Sequence, residues 1–221
     1  DDGGGIFNCV DGEGPTVTQE LILPPISGIK LKGSMDVFIT QGGEQQILVE
    51  AQENIINEID LDVDNGVWEL DFEDCVRNHT DVKVFITMPE VEILRITGSG
   101  DIVGENVFTG STLVLRITGS GDMDLAAEYD NLDTEITGSG TILLEGICDH
   151  FETKITGSGD YNAFNMLAVT GDVHITGSGD AEVNVSELLE VKISGSGDVF
   201  FKCDPIIDAN ITGSGEVVDA N

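Results

Sequence analysis

Six carboxylates recur at one position of this sequence, and their spacing is the first feature with chemical content. Asp101, Asp122, Asp160, Asp180, Asp198 and Glu216 each follow a Gly-Ser-Gly triplet, with Thr141 at the one repeat that lacks an acid. Acids at one repeat position can accept backbone N–H bonds within a turn. Stacked in a column they can instead share a divalent cation such as Ca²⁺, which takes six to eight oxygens. A second column, one residue before the motif isoleucine, holds Arg95, Arg116, Lys154, His174 and Lys192, with Glu135 and Asn210 at its other two positions. Between acidic columns it relieves self-repulsion. Beside the Thr/Ser column that runs from Thr97 to Thr212 it also forms a stripe that suits a polymer such as a glycan.

Nucleophilic and metal chemistry find less support. His79, His150 and His174 fall at different phases of the repeat, and neither His-x-x-x-His nor Cys-x-x-Cys occurs, so zinc ligation is not expected. The serine of Gly98-Ser99-Gly100 recurs in seven copies, unlike a catalytic nucleophile, and a nucleophile elbow reads Gly-x-Ser-x-Gly. A carbohydrate-active β-helix enzyme remains an alternative through acidic pairs such as Asp122 and Asp124. Calcium-binding solenoids with nine-residue repeats carry Gly-Gly-x-Gly-x-Asp, which is missing here. No resident cofactor is expected, calcium being the one candidate. Of the four cysteines, Cys9 and Cys75 share the amino-terminal region and can pair, which would suit an oxidising compartment. Cys148 and Cys203 sit three repeats apart, ~14 Å at strand spacing, too far for a bridge, and are expected as buried thiols.

The elements that position these columns follow from the repeat. Ile-Thr/Ser-Gly-Ser-Gly occurs seven times, starting at Ile96, Ile117, Ile136, Ile155, Ile175, Ile193 and Ile211, at intervals of 18 to 21 residues. That period is too short for helical-pair repeats. Around each copy apolar and polar residues alternate, as in Val191-Lys192-Ile193-Ser194, the pattern of a strand with one buried face. The prediction is all-β: a right-handed β-solenoid, or single-stranded β-helix, of ~19-residue coils. Parallel strands stack at ~4.8 Å, so seven coils make a rod of roughly 34 Å. Lys30-Leu31-Lys32-Gly33-Ser34-Met35-Asp36-Val37 is a degenerate further coil. Ile59, Leu61 and Val63 alternate up to Asn65-Gly66, and Trp68, Leu70 and Phe72 alternate after it, the signature of a hairpin. The chain thus divides into an acidic Gly-rich tether (1–20), an amino-terminal β cap (21–92) and the solenoid (93–221).

Charge excludes some functions. Against 42 Asp and Glu stand 9 Lys and Arg, for a net charge of −33 over 221 residues. Nucleic acid is excluded as a partner, because phosphate neutralisation needs cations, and anionic lipid is disfavoured. No apolar run approaches the length of a membrane span.

Ser27-Gly28-Ile29, Gly33-Ser34-Met35-Asp36-Val37 and Ile39-Thr40-Gln41-Gly42 come first. The hairpin, Val84-Phe85-Ile86-Thr87-Met88-Pro89-Glu90-Val91 and the Ile-Thr-Gly-Ser-Gly-Asp coils follow. In this order they resemble the putative auto-transporter adhesin, head GIN domain family, over about residues 20 to 221. That resemblance implies an exported β-helical protein of the cell envelope, outer-membrane surface or extracellular space, behind a secretory or lipoprotein signal, with any lipid anchor preceding this sequence. It carries no catalytic residues. The expected function is a non-enzymatic adhesin-like binding or scaffolding module whose partner is a glycan or a cell-surface protein. Self-association is also expected, because the coil after Ile211 has no polar cap.

Overall fold

The structure, a computed structural model, describes residues 9–221. The amino-terminal part contains β1 (Val10–Asp11), β2 (Thr16–Leu21), β3 (Gly28–Gly33), β4 (Asp36–Gln41), β5 (Gln46–Gln52) and the single helical turn α1 (Glu53–Ile56). It continues with β6 (Val63–Asp64), β7 (Val67–Leu70), β8 (Val76–Arg77), β9 (Lys83–Met88) and β10 (Ile93–Gly98). Long strands that bend around whole coils follow: β11 (Ile102–Gly119), β12 (Met123–Gly138), β13 (Thr141–Gly157), β14 (Asp160–Gly177) and β15 (Ala181–Gly195). Three short ones end the chain: β16 (Val199–Lys202), β17 (Ile206–Gly213) and β18 (Val217–Asp219).

From β10 onward every pairing is parallel and the motif copies stand in register: Ile96 opposite Ile117, then Ile136, Ile155, Ile175, Ile193 and Ile211. This is a β-solenoid of about seven turns of ~19 residues. The period-two alternation explains the core. In each coil the motif isoleucine and the residue two before it point inward, and Leu94, Leu115, Val173 and Val191 are at most 1% exposed. Two polar residues occupy that same inner column, Thr134 and Thr153, and they satisfy each other with an Oγ1–Oγ1 separation of 2.8 Å. Buried hydroxyls are tolerated when paired in this way.

The backbone phase is equally regular. Inward-facing residues just after the corner donate to a carbonyl of the following coil: Ile102 to Asp122 at 2.9 Å, Ala181 to Asp198 at 2.9 Å, Val199 to Glu216 at 2.9 Å. Outward-facing residues bond back to the preceding coil, as Val114 does to Glu92 at 2.8 Å. In a parallel ladder each residue points both of its backbone groups to one side, and the sides alternate.

The solenoid extends into the amino-terminal part. β3 pairs parallel with β10 and β4 with β11, so the degenerate coil occupies its expected place. β7 pairs with β3, and β6 and β7 form the Asn65–Gly66 hairpin, with positive φ of 51° and 79° at the two turn residues. Those angles fit the primed turn that matches strand twist. Trp68 and Leu70 point in as expected, but Leu61 is 45% exposed, because only Val63–Asp64 of the first arm pairs with β7. On another side β4, β9, β5 and β2 pair in succession, the first pairing parallel and the last two antiparallel. α1 follows β5 and buries Ile55 and Ile56.

Residues 1–8 of the expected tether lie outside the described residues. The rest of that segment is docked rather than free. Cys9 is bonded to Cys75 with Cα atoms 4.5 Å apart, β1 pairs with β8, and Thr16–Leu21 forms a strand along β5. Cys148 is buried, as expected. Cys203 is not: it is exposed, in the left-handed region at φ 67°, with its Sγ 3.1 Å from Asn184 Oδ1. It follows the last residue of β16, where the chain leaves the ladder, so its repeat phase did not place it inside.

Candidate binding faces and the acid column

The acid column sits at the corner and is engaged with backbone. Asp101 Oδ1 accepts the N–H of Asp122 at 2.9 Å, and Asp122 Oδ1 accepts that of Thr141 at 2.7 Å. Asp160 accepts from Asp180 at 3.1 Å, Asp180 from Asp198 at 2.8 Å, and Asp198 from Glu216 at 2.8 Å. Each carboxylate therefore clamps the equivalent residue of the next coil, rather than an N–H of its own turn. Thr141 has no carboxylate, and there the N–H of Asp160 turns to the Gly140 carbonyl at 3.1 Å. Charge-assisted bonds of this kind are stronger than neutral ones, and they offset the ~0.9 kcal/mol per pair by which adjacent carboxylates repel at strand spacing in water. Among the described residues no three His, Cys, Asp or Glu side chains gather as a metal-binding group. Asp36 occupies the same column in the degenerate coil, beside Asp101. Burial, together with the charges of Asp101 and Asp81, raises its pKa above the ordinary carboxylate value.

The outer surface beside the corner is a flat sheet face built from β10 and the last third of each coil. Three outward columns run along it. The first reads Ile93, Val114, Asp133, Glu152, Asp172, Glu190 and Asp208. The second is the basic column, Arg95, Arg116, Glu135, Lys154, His174, Lys192 and Asn210, and the third is the Thr/Ser column from Thr97 to Thr212. Part of the basic column is neutralised by its neighbours. Arg116 pairs with Asp133 and, at 3.2 Å, with Glu135, while Lys154 pairs with Glu152 at 2.6 Å. Further along, Lys192 Nζ lies 3.3 Å from His174 Nε2. His174, Thr176, Lys192, Ser194, Asn210 and Thr212 surround a shallow recess of about 280 Å³. The structure thus gathers His174 and Lys192 with the hydroxyls, and commits Arg116 and Lys154 to ion pairs.

Two other recesses lie elsewhere. One of about 480 Å³ lies at the hairpin end of the same face, with Asp60, Asp62 and Asp64 on one wall and Lys30, Glu69 and Arg95 on the other. Lys30 and Lys32 both bind Glu69, which holds that carboxyl below its usual range. The sequence signal was the run of acids at every second residue from Asp60 to Asp64. The other, of about 370 Å³, has an apolar wall: Ile147 is 53% exposed, Leu167 44% and Val169 37%, beside Glu128, Asp130 and Asp149. Ile147 and Leu167 occupy the column of Glu128, an outward phase in which an apolar residue is the clue. Under this groove burial pushes the Cys148 thiol up to about 12, with Asp149 adding to the shift. A thiol so raised stays protonated and unreactive at neutral pH.

These features define a parallel β-solenoid whose repeat positions hold the coils together from the corner and leave long, flat, column-ordered faces for contact. The chain belongs to the family described as "Putative auto-transporter adhesin, head GIN domain", which matches residues 26–205. Three solved structures share the fold. A putative adhesin from Bacteroides fragilis NCTC 9343 is 23% identical with a TM-score of 0.89, covering 95% of this chain and 99% of that one. A putative lipid binding protein from Parabacteroides distasonis ATCC 8503 is 24% identical with a TM-score of 0.81 and the same coverage. A putative adhesin from Parabacteroides merdae ATCC 43184 is 22% identical with a TM-score of 0.78, again covering 95% and 99%. No curated protein matches the chain. Among the described residues no helix is long and apolar enough to cross a membrane.

Proposed function

We propose that this protein is an exported, non-enzymatic adhesin-like module of the cell envelope or extracellular space, and that it holds a glycan or a cell-surface protein along its Thr/Ser and cation face. One observation carries the reading: the hydroxyls from Thr97 to Thr212 point outward in register beside His174 and Lys192. A polymer with a repeat near the strand spacing meets the same donor and acceptor set coil after coil, and weak contacts add along the rod. The family description supports adhesion, and the Cys9–Cys75 bridge supports an oxidising compartment.

The test is a binding screen against immobilised polysaccharides, with reducing-end release followed in parallel. Thr156→Val, Thr176→Val and Lys192→Ala combined should weaken binding at least about tenfold, roughly 1.4 kcal/mol, without moving the melting temperature. Release of new reducing ends would instead establish the carbohydrate-active enzyme. The apolar groove favours a second reading, in which an acyl chain or other apolar group lies against Ile147, Leu167 and Val169, and one structural neighbour is described as a lipid binding protein. In that case Ile147→Asp abolishes binding and the Thr-face variant does not.

A further inference from the structure

The two ends of the coil stack are finished differently. At the amino-terminal end α1 buries Ile55 (0% exposed) and Ile56 (2%). At the other end every residue of β17 is exposed. Ile207 and Ile211 continue core columns in which Leu189 is 0% and Ile193 2% exposed, yet they are themselves 38% and 39% exposed. The backbone there is also uncovered. Inward-facing residues point their N–H and C=O groups toward the next coil, as Val199 does toward Glu216. On β17 that phase belongs to Ile207, Ala209 and Ile211, whose backbone groups therefore line the free edge.

We propose that this end is a self-association surface occupied by a second copy of this chain, tail to tail, with β17 pairing antiparallel to its symmetry mate about a two-fold axis at Ala209. Edge groups recur at every second residue, which is the spacing of hydrogen-bonded pairs in an antiparallel ladder, with two bonds for each pair. A dyad at Ala209 sets Ala209 against the partner's Ala209 and Ile207 against the partner's Ile211. The same operation lays one open core against another of identical cross-section. A lone foreign strand would satisfy the edge and leave Ile207 and Ile211 wet. At the amino-terminal end of another copy α1 buries Ile55 and Ile56, so that end does not match the exposed Ile207 and Ile211, whereas the isologous contact matches them to themselves and is self-limiting where a head-to-tail one would grow a filament. Two chains of charge −33 repel, so the association strengthens as salt screens them. The surface is independent of which ligand the Thr face takes.

Sedimentation velocity on the 221-residue chain, from micromolar to hundreds of micromolar and up to about 0.5 M NaCl, tests the proposal. The expected result is a species of twice the 23.5 kDa chain mass that grows with concentration and with salt. Ala209→Pro removes an N–H that the fold itself does not use, which is where an edge strand tolerates proline, and should weaken association at least about tenfold with an unchanged melt. Ile207→Lys alone should also weaken it, and Ile207→Lys combined with Ile211→Asp should restore it, because each lysine then faces the partner's aspartate. Three results overturn the proposal: a monomer at every concentration and salt, a dimer that Ala209→Pro leaves intact, or a double variant that does not recover.

Discussion

Gly177→Ala should lower the melting temperature by on the order of 10 °C, a larger effect than any surface substitution in this protein. Gly177 sits at φ +130°, a conformation closed to residues with a side chain, and an added methyl would collide with the carbonyl oxygen of Gly157 in the coil below. Backbone strain of this kind costs about 1–3 kcal/mol and an unrelieved steric insertion about as much again. Together they reach about 4 kcal/mol, and for a chain of this length each kcal/mol moves the midpoint by roughly 2–4 °C. The obstacle is the backbone of Gly157, since each corner glycine stacks on the one before it, so it cannot swing aside as a side chain would. A solenoid also passes the damage on, because each coil contacts only its neighbours and its stability depends on their interfaces. Gly43→Ala is the control: a methyl there meets nothing within 4 Å. Circular-dichroism melts compare the two directly. A Gly177→Ala protein that melts with the wild type would mean that the corner stack is not what holds successive coils at their spacing.

The second large effect is removal of the Cys9–Cys75 bridge. It closes a loop of sequence separation 66, for which the chain-entropy relation gives about 4 kcal/mol of stabilisation. Beyond that loop it fastens β1 to β8. Close by, Arg77 bonds Asp11 at 2.9 Å, and Asn54 bonds the Asp11 carbonyl at 2.7 Å. Cys9→Ser with Cys75→Ser, or reduction alone, should therefore lower the midpoint by roughly 10 °C if cap and solenoid unfold together. Thiol titration checks the pairing. The native protein should react at Cys203, and the unfolded, unreduced protein at Cys148 as well. Four reactive thiols before reduction would contradict the bridge.

Much of this architecture was legible in the chain because a solenoid repeats its physics. Period-two alternation placed Ile96 to Ile193 in the core and Lys154 and Lys192 outside, and the register that unites them is the interval between motif copies. What escaped the sequence was everything that depends on which neighbour a side chain chooses. The acids after the corner looked like turn residues closing their own loops, but Asp180 bonds the N–H of Asp198, one coil on. Separation along the chain hides a contact that the 18-residue interval creates in space. The glycines and acids of the amino-terminal segment give it the composition of a tether. Its Thr16–Leu21 stretch nevertheless finds an edge in β5, a pairing set by topology and not by local composition. Repeat phase alone puts Cys203 in the core, and it fails there because the chain breaks from the ladder after Lys202. The apolar groove was visible only as apolar residues out of phase, Ile147 and Leu167 among them, whose significance depends on two coils placing them side by side.

The acid column is the point on which the account turns: it assigns Asp101, Asp122, Asp160, Asp180 and Asp198 to clamping the backbone and leaves the Thr/Ser and cation face for contact. A thermal melt at matched ionic strength, in EDTA and in micromolar Ca²⁺, tests this most directly, since a ligand that binds only the folded state stabilises it by about 2.7 kcal/mol at a hundredfold excess over its dissociation constant and so raises the midpoint. The account predicts the same midpoint in both buffers. A rise of several degrees with Ca²⁺ and none with Mg²⁺ would contradict it and make the column a metal ladder.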